Sequence, residues 1–197
     1  MARRKRAPVC KPIPSSSSHP AAGTARDIAL DLPDDLAAAV VIKPAAAADE
    51  LWIDRLRREH LPYTPRERQA PQARDDALRS PLAHLIKAEI DATPIGLLYT
   101  HALHELPVPT EVSLLKWLVV DPRARGRGVA TALIAFARAQ LLAGTLWIGG
   151  CASAEADFYR NQGFRVLAAS EPLISPKLPG PLGNNNRDAP RWFFQQL

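Results

Sequence analysis

The sequence predicts an α/β fold in which a central mixed β-sheet is flanked by helices. In the second half of the chain, short apolar runs alternate with helical patterns, which indicates strand–helix units. Before them, apolar runs at 82–90 and 95–102 flank the turn-forming residues 91–94, as expected of a β-hairpin. No stretch approaches the roughly 18 consecutive apolar residues of a transmembrane helix. The hairpin and the later units together predict a sheet with antiparallel and parallel neighbours.

The first half of the domain contributes a strand, a helix and a loop. Residues 38–44 form a short apolar run that Pro44 closes, which predicts the first strand. Asp49 is placed to cap a helix that Pro62 ends. Residues 62–81 hold four prolines and many charges, so we expect a long loop of the kind that often serves as a lid or binding loop.

The second half begins with a strand at 112–120, which is apolar nearly throughout, as expected of a strand covered on both faces. A helix from Val129 follows, with Gly144 as its stop. The remaining predicted elements are a strand at 145–148, a helix at 153–162 with Ser153 as its cap, a strand at 164–168, a loop at 172–190 and a last strand at 191–197.

The charge of the chain is concentrated at its N-terminus. There are 25 Lys and Arg residues against 20 Asp and Glu, a formal net charge of +5. Residues 1–11 contain five of the basic residues and no acid, which leaves 20 charges of each sign for the rest. These five are Arg3, Arg4, Lys5, Arg6 and Lys11. The neutral body excludes a protein that binds nucleic acid over its whole surface.

Residues 1–25 are expected to form a disordered tail, and 27–197 a single domain. The tail combines the basic run with Ser15–Ser18 and four prolines, so it cannot bury enough apolar surface to offset its ordering entropy. A solubilising tail, an arm for an anionic partner and a targeting signal all stay open. A secretory signal is excluded because no apolar stretch follows the basic start. With Cys10 and Cys151 as the two cysteines, a reducing, cytoplasmic location is expected, without disulfide or metal site.

The stretch 117–131 joins a buried strand, a glycine-containing turn and a helix N-terminus. Such a helix start presents unpaired N–H groups and the positive end of the helix dipole, which predicts an anion site. Gly126 and Gly128 let the backbone approach a phosphate closely. Three arginines add charge that can reach phosphate oxygens. They are Arg123, Arg125 and Arg127.

Two other phosphate-binding loops do not fit this stretch. A Walker A loop needs a Gly-Lys-Ser/Thr sequence, which is absent. A dinucleotide-binding loop needs a small residue where Thr131 stands, and an acid about 20 residues on, where Ile148 and Gly149 stand.

The stretch Arg123-x-x-Gly126-x-Gly128, after a strand ending Val-Asp-Pro, resembles the acetyl-CoA signature of the GNAT N-acetyltransferase superfamily. Residues 156–164, Ala-x-Phe-Tyr-Arg-x-x-Gly-Phe, resemble the late helix of that family. Residues 41–45 resemble its first strand, and 89–96 its central hairpin. The resemblance covers roughly 38–168, and it implies the GNAT acyl-CoA N-acyltransferase fold.

The resemblance also implies where acetyl-CoA binds. The strand ending near Val120 would splay from its neighbour, and its backbone would pair with the pantetheine arm. Amides between Arg125 and Thr131 would hold the pyrophosphate. The implied cofactor-binding residues are Leu118, Val119, Val120, Arg123, Arg125, Gly126, Arg127, Gly128, Val129, Ala130 and Thr131. Many members have an asparagine seven residues before the late-helix tyrosine, where this chain has Ala152.

The implied reaction moves an acetyl group to a primary amine by direct attack on the thioester. Tyr159 would lie near the sulfur and give a proton to the leaving thiolate; the alternative is a packing aromatic beside Phe158. Glu111, at the start of the central strand, is the implied base, since a protonated amine cannot attack. Its alternative is an exposed strand-end charge.

A second candidate for the base is a histidine-containing cluster, because imidazole titrates near neutral pH. It comprises His101, His104 and Glu105, for which a surface loop is the alternative. The spacing of these residues could suggest a metal site, but no further cluster of ligand residues in the sequence supports one. An acceptor pocket could be shaped by Trp52, His60 and Tyr63, and Cys151 is expected to be a buried, inert thiol.

The acceptor is expected to be a small molecule or a protein that carries an amine, with no membrane partner. Many members of the family are dimers, so a homodimer stays open. One alternative function is a CoA-binding regulatory or interaction module without turnover. Another is an acyltransferase for nucleic-acid-associated targets, which only the basic run at 3–6 supports.

Overall fold

The structure, a computed structural model, describes residues 40–60, 83–103 and 111–197. Within these ranges the strands are β1 (Val40–Pro44), β2 (Ala83–Ile90), β3 (Thr93–Ala102), β4 (Val112–Val120), β5 (Leu146–Cys151), β6 (Arg165–Val166) and β7 (Arg191–Gln196). The α-helices are α1 (Glu50–His60), α2 (Val129–Gln140) and α3 (Ala156–Asn161). The predicted tail at 1–25 and the whole of the predicted loop at 62–81 lie outside the described residues.

The strands form one sheet in the order β1-β2-β3-β4-β5-β7-β6. β4 and β5 are parallel neighbours, and α2 connects them. The other neighbours are antiparallel. The predicted mixed sheet with flanking helices is therefore confirmed. In the described part of the chain, no helix combines the length and the apolar composition needed to cross a membrane.

The hairpin between β2 and β3 is tighter than predicted. Its loop consists of Asp91 and Ala92, because Ile90 already pairs with Thr93. Both loop residues have positive φ, 48° and 60°, which is the backbone of a type I′ turn. The prediction of a four-residue turn at 91–94 was wrong because Thr93 and Pro94 belong to β3.

The two faces of the sheet carry separate apolar cores. On β3, Leu98 belongs to the core under α2, whereas Leu97 and Tyr99 belong to the core under α1. Alternate side chains of a strand point to opposite faces, so α1 and α2 cover opposite sides. We call these the α1 face and the α2 face. A third cluster, around Val112 and Leu173, covers the β5–β7 half of the α1 face.

Elements after α2 differ from their predicted bounds. β5 continues through Gly149 and Gly150 to Cys151, because these residues pair with β7. Sequence reasoning ended this strand at 148, since glycine disfavours strands. β6 has two residues, and the predicted helix at 153–162 divides into a 3₁₀ turn, Ser153–Glu155, and α3.

A buried ion network ties β1, β2 and the turn before α1 together on the α1 face. Lys87 Nζ lies 2.6 Å from Asp49 Oδ1 and 2.5 Å from Glu89 Oε1, and Lys43 Nζ lies 2.5 Å from Glu89 Oε2. Asp49 also accepts a hydrogen bond from the backbone N–H of Ala46 at 2.7 Å. Its carboxylate thus caps the 3₁₀ turn before α1, one element earlier than expected.

Burial alone raises the pKa of Asp49 and of Glu89. The hydrogen bonds and charges of the neighbouring lysines outweigh burial and lower both pKa values below their ordinary range. For Lys87, burial lowers the pKa, and the two carboxylates raise it above the ordinary value. The network is therefore charged throughout the neutral pH range.

Candidate active site

β4 and β5 separate partway along their length. They pair from Val112 opposite Leu146 to Leu115 opposite Gly149, whereas β4 continues to Val120. At the same point β4 has a bulge against β3. Tyr99 is opposite Trp117 and Thr100 is opposite Leu115, so Lys116 is the extra residue. A bulge bends its strand and increases its twist. We call the opening between the diverging strands the cleft.

Two residues of β4 present their backbone polar groups to the cleft. The N–H of Asp121 donates to the Ile95 carbonyl on β3 at 2.8 Å. Because alternate residues of a strand point their N–H and C=O groups to opposite sides, those of Leu118 and Val120 point away from β3. The same alternation directs the groups of Val119 toward β3. Of the residues 118–120, whose backbone was expected to face the cleft, Leu118 and Val120 do so and Val119 does not.

The turn after β4 is held by its own side chains. Asp121 accepts the backbone N–H of Arg123 at 2.9 Å and pairs with the Arg123 guanidinium at 2.7 Å. Arg125 folds back, and its Nε donates to the Val120 carbonyl at 3.0 Å. These contacts give Arg123 and Arg125 structural partners within the turn, although all three arginines of the turn are exposed.

Two glycines bring this turn to the start of α2. Gly126 and Gly128 have φ values of 72° and 77°, a left-handed conformation that favours glycine. The first hydrogen bond of α2 runs from the N–H of Ala132 to the Gly128 carbonyl, at 3.0 Å. The N–H groups of 129–131 therefore have no acceptor inside the helix and point out of its N-terminus. The predicted anion-site geometry is present.

A third glycine lets α2 lie close to the sheet. A Cβ atom on Gly96 of β3 would lie 3.1 Å from Leu133 Cδ1 and 3.1 Å from Val129 Cγ1. These two side chains come from the first turns of α2. The close approach holds the N-terminus of the helix at the end of the cleft.

Tyr159 lies on α3 within the core of the α2 face. Its ring stacks on Phe193 of β7, with centroids 3.8 Å apart and planes at 14°. Burial raises the pKa of the Tyr159 hydroxyl well above its ordinary value, and the negative charge of Glu155 adds to the effect. The side chain is thus a protonated phenol at physiological pH.

Phe193 in turn lies over a glycine. A Cβ on Gly149 would lie 2.2 Å from Phe193 Cζ, so the ring occupies the space of a side chain. Gly149 is also the last residue of β5 that pairs with β4. Sequence reasoning missed Gly149 and Phe193 as parts of the site. An aromatic on the last strand and a strand-interior glycine were the available signals.

The turn before α3 is capped by Glu155. Its Oε2 accepts the backbone N–H of Ala152 at 3.0 Å, which makes Ala152 the N-cap residue. The prediction of Ser153 as the cap was wrong, because Ser153 Oγ instead accepts a hydrogen bond from Arg191 Nε at 3.1 Å. An Ala-x-x-Glu spacing resembles a capping box in which only the glutamate arm is available.

The candidate bases lie away from the end of the cleft. Glu111 is exposed and precedes β4, and Leu115, where pairing with β5 ends, is four residues further on. At about 3.3 Å per residue this separation is roughly 13 Å. His101, on β3 opposite Leu114, stacks on Tyr99 with centroids 5.4 Å apart.

Other predicted site residues have structural roles or lie outside the described residues. Trp52 is half-buried and packs against the core under α1. Cys151 is fully buried, and burial raises the pKa of its thiol to about 11. Tyr63, His104 and Glu105 lie outside the described residues, and so does the His60 side chain.

Comparison with known proteins agrees with this architecture. Residues 81–166 match a family model described as an acetyltransferase (GNAT) domain. The search of curated proteins gives no match. The similarity to solved structures extends beyond the family match.

The phosphinothricin acetyltransferase of Sinorhizobium meliloti, solved with acetyl-CoA, is 17% identical with a TM-score of 0.60, over 81% of this chain and 89% of that one. A GNAT-family acetyltransferase of Staphylococcus aureus is 14% identical with a TM-score of 0.58, over 81% and 99%. The ribosomal-protein-S18-alanine N-acetyltransferase of Escherichia coli is 10% identical with a TM-score of 0.53, over 79% and 90%.

At these identities the structural matches establish the fold alone. The region that matches the family model spans the strands that open the cleft, the glycine turn and α3. Residues 81–166 therefore resemble a GNAT acetyltransferase domain, and the chain shares the fold of solved acetyltransferases.

Proposed function

We propose that this protein transfers an acetyl group from acetyl-CoA to a primary amine. The observation that carries the proposal is the cleft between β4 and β5, which has the glycine turn and the unpaired amides of α2 at its end. The backbone of β4 forms one wall of the cleft, and the glycine turn and helix amides at its end suit an anion. This combination suits a ligand with an amide-containing arm and a pyrophosphate.

In the proposed complex, Leu118 and Val120 bind the pantetheine arm through their cleft-facing backbone. The amides from Arg125 to Thr131 bind the pyrophosphate, and Arg127 adds an exposed positive charge. Arg125 reaches the cleft edge, since it already bonds the Val120 carbonyl. Arg123 acts by fixing the turn through Asp121. These assignments keep the predicted residues except Val119, whose backbone polar groups point to β3.

The proposed chemistry is direct attack of the acceptor nitrogen on the thioester carbonyl. The new N–C bond forms, the C–S bond breaks, and a base takes a proton from the nitrogen. Tyr159 donates a hydrogen bond from its hydroxyl to the departing thiolate, which takes its proton from solvent. The raised pKa of Tyr159 supports this role, because the phenol stays protonated and can donate that hydrogen bond at neutral pH.

For the base, we propose Glu111 acting through a chain of several waters, because roughly 13 Å of strand separates it from the end of β4–β5 pairing. His101 is the second candidate, and it lies on the α1 face beside Tyr99. The two candidates are distinguished by substitution of each, followed by activity measurements across pH.

The proposed acceptor is an amine on a small molecule or a protein. The similar structures include an enzyme named for a small molecule and one named for a ribosomal protein, so the fold accommodates both classes.

Two measurements test the proposal. Isothermal titration calorimetry with acetyl-CoA tests binding, and thiol release from acetyl-CoA with a panel of amines and peptides tests turnover. We expect binding and amine-dependent thiol release, with Glu111→Gln and His101→Gln compared across pH. Binding without turnover on broad panels would instead favour the CoA-binding module. No binding of acetyl-CoA would refute both.

A further inference from the structure

A buried network of side chains joins β3, β4 and β5 beside the cleft. The indole N–H of Trp147 donates to Thr100 Oγ1 at 3.0 Å, and Thr100 Oγ1 lies 2.8 Å from Ser113 Oγ. Thr100 also bonds the Leu114 carbonyl at 3.0 Å, and Ser113 bonds the His101 carbonyl at 3.3 Å. Thr100 and Trp147 are 0% exposed. Each polar side chain therefore has a partner in an otherwise apolar core.

This network coincides with the point where the sheet opens. Ser113 is opposite Trp147 within the paired section of β4 and β5. Thr100 is opposite Leu115, the last residue of β4 that pairs with β5. The next residue, Lys116, is the bulge. The three side chains thus connect the strands immediately on the closed side of the cleft.

The contacts explain why hydroxyls occupy these positions. A bulge disrupts the backbone ladder, and the Thr100 hydroxyl gives the nearby Leu114 carbonyl a hydrogen bond. The β-branched Thr100 side chain has few accessible rotamers. Its hydroxyl oxygen accepts a hydrogen bond from the indole of Trp147, which lies two strands away on β5. A satisfied buried network of this kind specifies one arrangement of its strands.

We propose that Thr100, Ser113 and Trp147 are positioning residues that hold the β4 bulge in place and thereby set the width of the cleft for acyl-CoA. The inference rests on the proposed function, because it assigns the cleft to that ligand. None of the three is proposed to touch the reacting atoms. They affect ligand binding indirectly, because they fix the backbone path of β4 between Lys116 and Val120.

The test compares two ways of weakening the same core. Thr100→Val keeps the shape and removes the hydroxyl, and Ile42→Ala truncates a buried side chain of the α2 face on β1. At a similar loss of Tm, we expect Thr100→Val to raise the Kd for acetyl-CoA about tenfold, because fewer molecules hold the competent cleft. Ile42→Ala should change Kd less than about twofold. Thr100→Ser, which retains the hydroxyl, should restore binding.

Equal Kd values for Thr100→Val and Ile42→Ala at matched Tm would overturn the proposal. If Thr100→Val does not fold, Ser113→Ala takes its place, since it removes the bond to Thr100 and leaves the Trp147 bond intact. A second readout needs no ligand: the amide NMR shifts of Leu118 and Val120. We expect them to move in Thr100→Val and not in Ile42→Ala. If the wild type binds no acetyl-CoA, the proposed function fails, and these shifts still decide whether the network sets the course of β4.

Discussion

Phe193 and Tyr159 stack face to face, with ring centroids 3.8 Å apart, and the Phe193 ring occupies the space left by the missing side chain of Gly149. The position of Tyr159 thus depends on a strand residue 34 positions away in the chain. A side chain added at Gly149 would displace the Phe193 ring, which would in turn displace the Tyr159 ring stacked on it. Three of our predictions concern this site and the glycine turn at Gly126 and Gly128.

Gly149→Ala should lower the kcat of thiol release at least tenfold, because a displaced Tyr159 loses its alignment with the sulfur, and misplacement by about 1 Å can cost this much or more. Overpacking should also cost roughly 1–3 kcal/mol of unfolding free energy. Gly150→Ala is the matched control, since its Cβ would meet its nearest atom at an ordinary 3.5 Å. Steady-state kinetics measures kcat and urea unfolding measures the unfolding free energy of both variants. Equal kcat values in the two variants would contradict the inference that Phe193 positions Tyr159.

Tyr159→Phe should lower kcat about 100-fold while it leaves the KM for acetyl-CoA nearly unchanged, as expected when a hydrogen-bond donor to the leaving thiolate is lost. The ring is retained, so the stacking on Phe193 and the fold should persist. In the wild type, the raised pKa of Tyr159 means that no loss of kcat from phenol ionisation appears up to about pH 10. The contrary result would be a fall in kcat that is centred at or below that pH and is absent from Tyr159→Phe. It would show that the phenol is less well shielded from solvent than the structure indicates.

Gly126→Ala should weaken acetyl-CoA binding about tenfold, because alanine resists the left-handed conformation and the turn amides would move. Gly144→Ala is a close match: both glycines have positive φ, 72° and 86°, and neither has an atom within 4 Å of a built Cβ. Both variants should lose roughly 1 kcal/mol of unfolding free energy from backbone strain. Calorimetry should find altered Kd only for Gly126→Ala. An unchanged Kd in that variant would remove the turn from the binding site.

Several of these relationships could be predicted from the sequence and others could not. The strand, glycine turn and helix at 112–140 are contiguous, so their local pattern predicted these elements and the turn that leads into the helix, while anion binding there stays a prediction. The stack of Tyr159 on Phe193 could not be predicted, because it depends on how β7 pairs with β5. The same applies to the extension of β5 through Gly149 and Gly150, where pairing outweighs the low strand preference of glycine. Ser153 was a reasonable cap by residue type, but Arg191 engages it from another strand.

Cys151 should be unreactive in the native protein. Burial raises the pKa of its thiol to about 11, so little thiolate exists near neutral pH and reagent access is blocked. In a Cys10→Ser variant, modification by a maleimide should be at least about 100-fold slower in buffer than in denaturant. Mass spectrometry over time measures both rates. Rapid native labelling would show that the end of β5 opens to solvent.

The ion network around Lys87 predicts a stability that depends on acid pH. The pKa values of Asp49 and Glu89 are lowered in the fold, so their contribution is complete above the ordinary carboxyl range, about pH 4–5, and is lost as pH falls through the lowered values. Asp49→Asn should cost roughly 3 kcal/mol near neutral pH, since it leaves a buried lysine with one partner fewer. This difference from wild type should shrink as pH falls toward about 3.

Urea unfolding at a series of pH values measures this difference. Asp157→Asn serves as control, because the side chain of Asp157 is 89% exposed and its pair with Arg160 lies in solvent. We expect that variant to follow the wild type at every pH within about 0.5 kcal/mol. A pH-independent penalty in Asp49→Asn would mean that the carboxylate stabilises the fold by its shape and hydrogen bonds rather than by its charge.

The single parallel pairing among the described strands has a consequence for stability. β1–β4 form one antiparallel half-sheet and β5–β7 another, and the ladder between them ends at Leu115 and Gly149. Beyond that point the backbone ladder is absent, and the two half-sheets are joined by the core of the α2 face. A ligand bound between the diverging strands would contact both half-sheets, so its binding would stabilise the folded domain where the ladder does not.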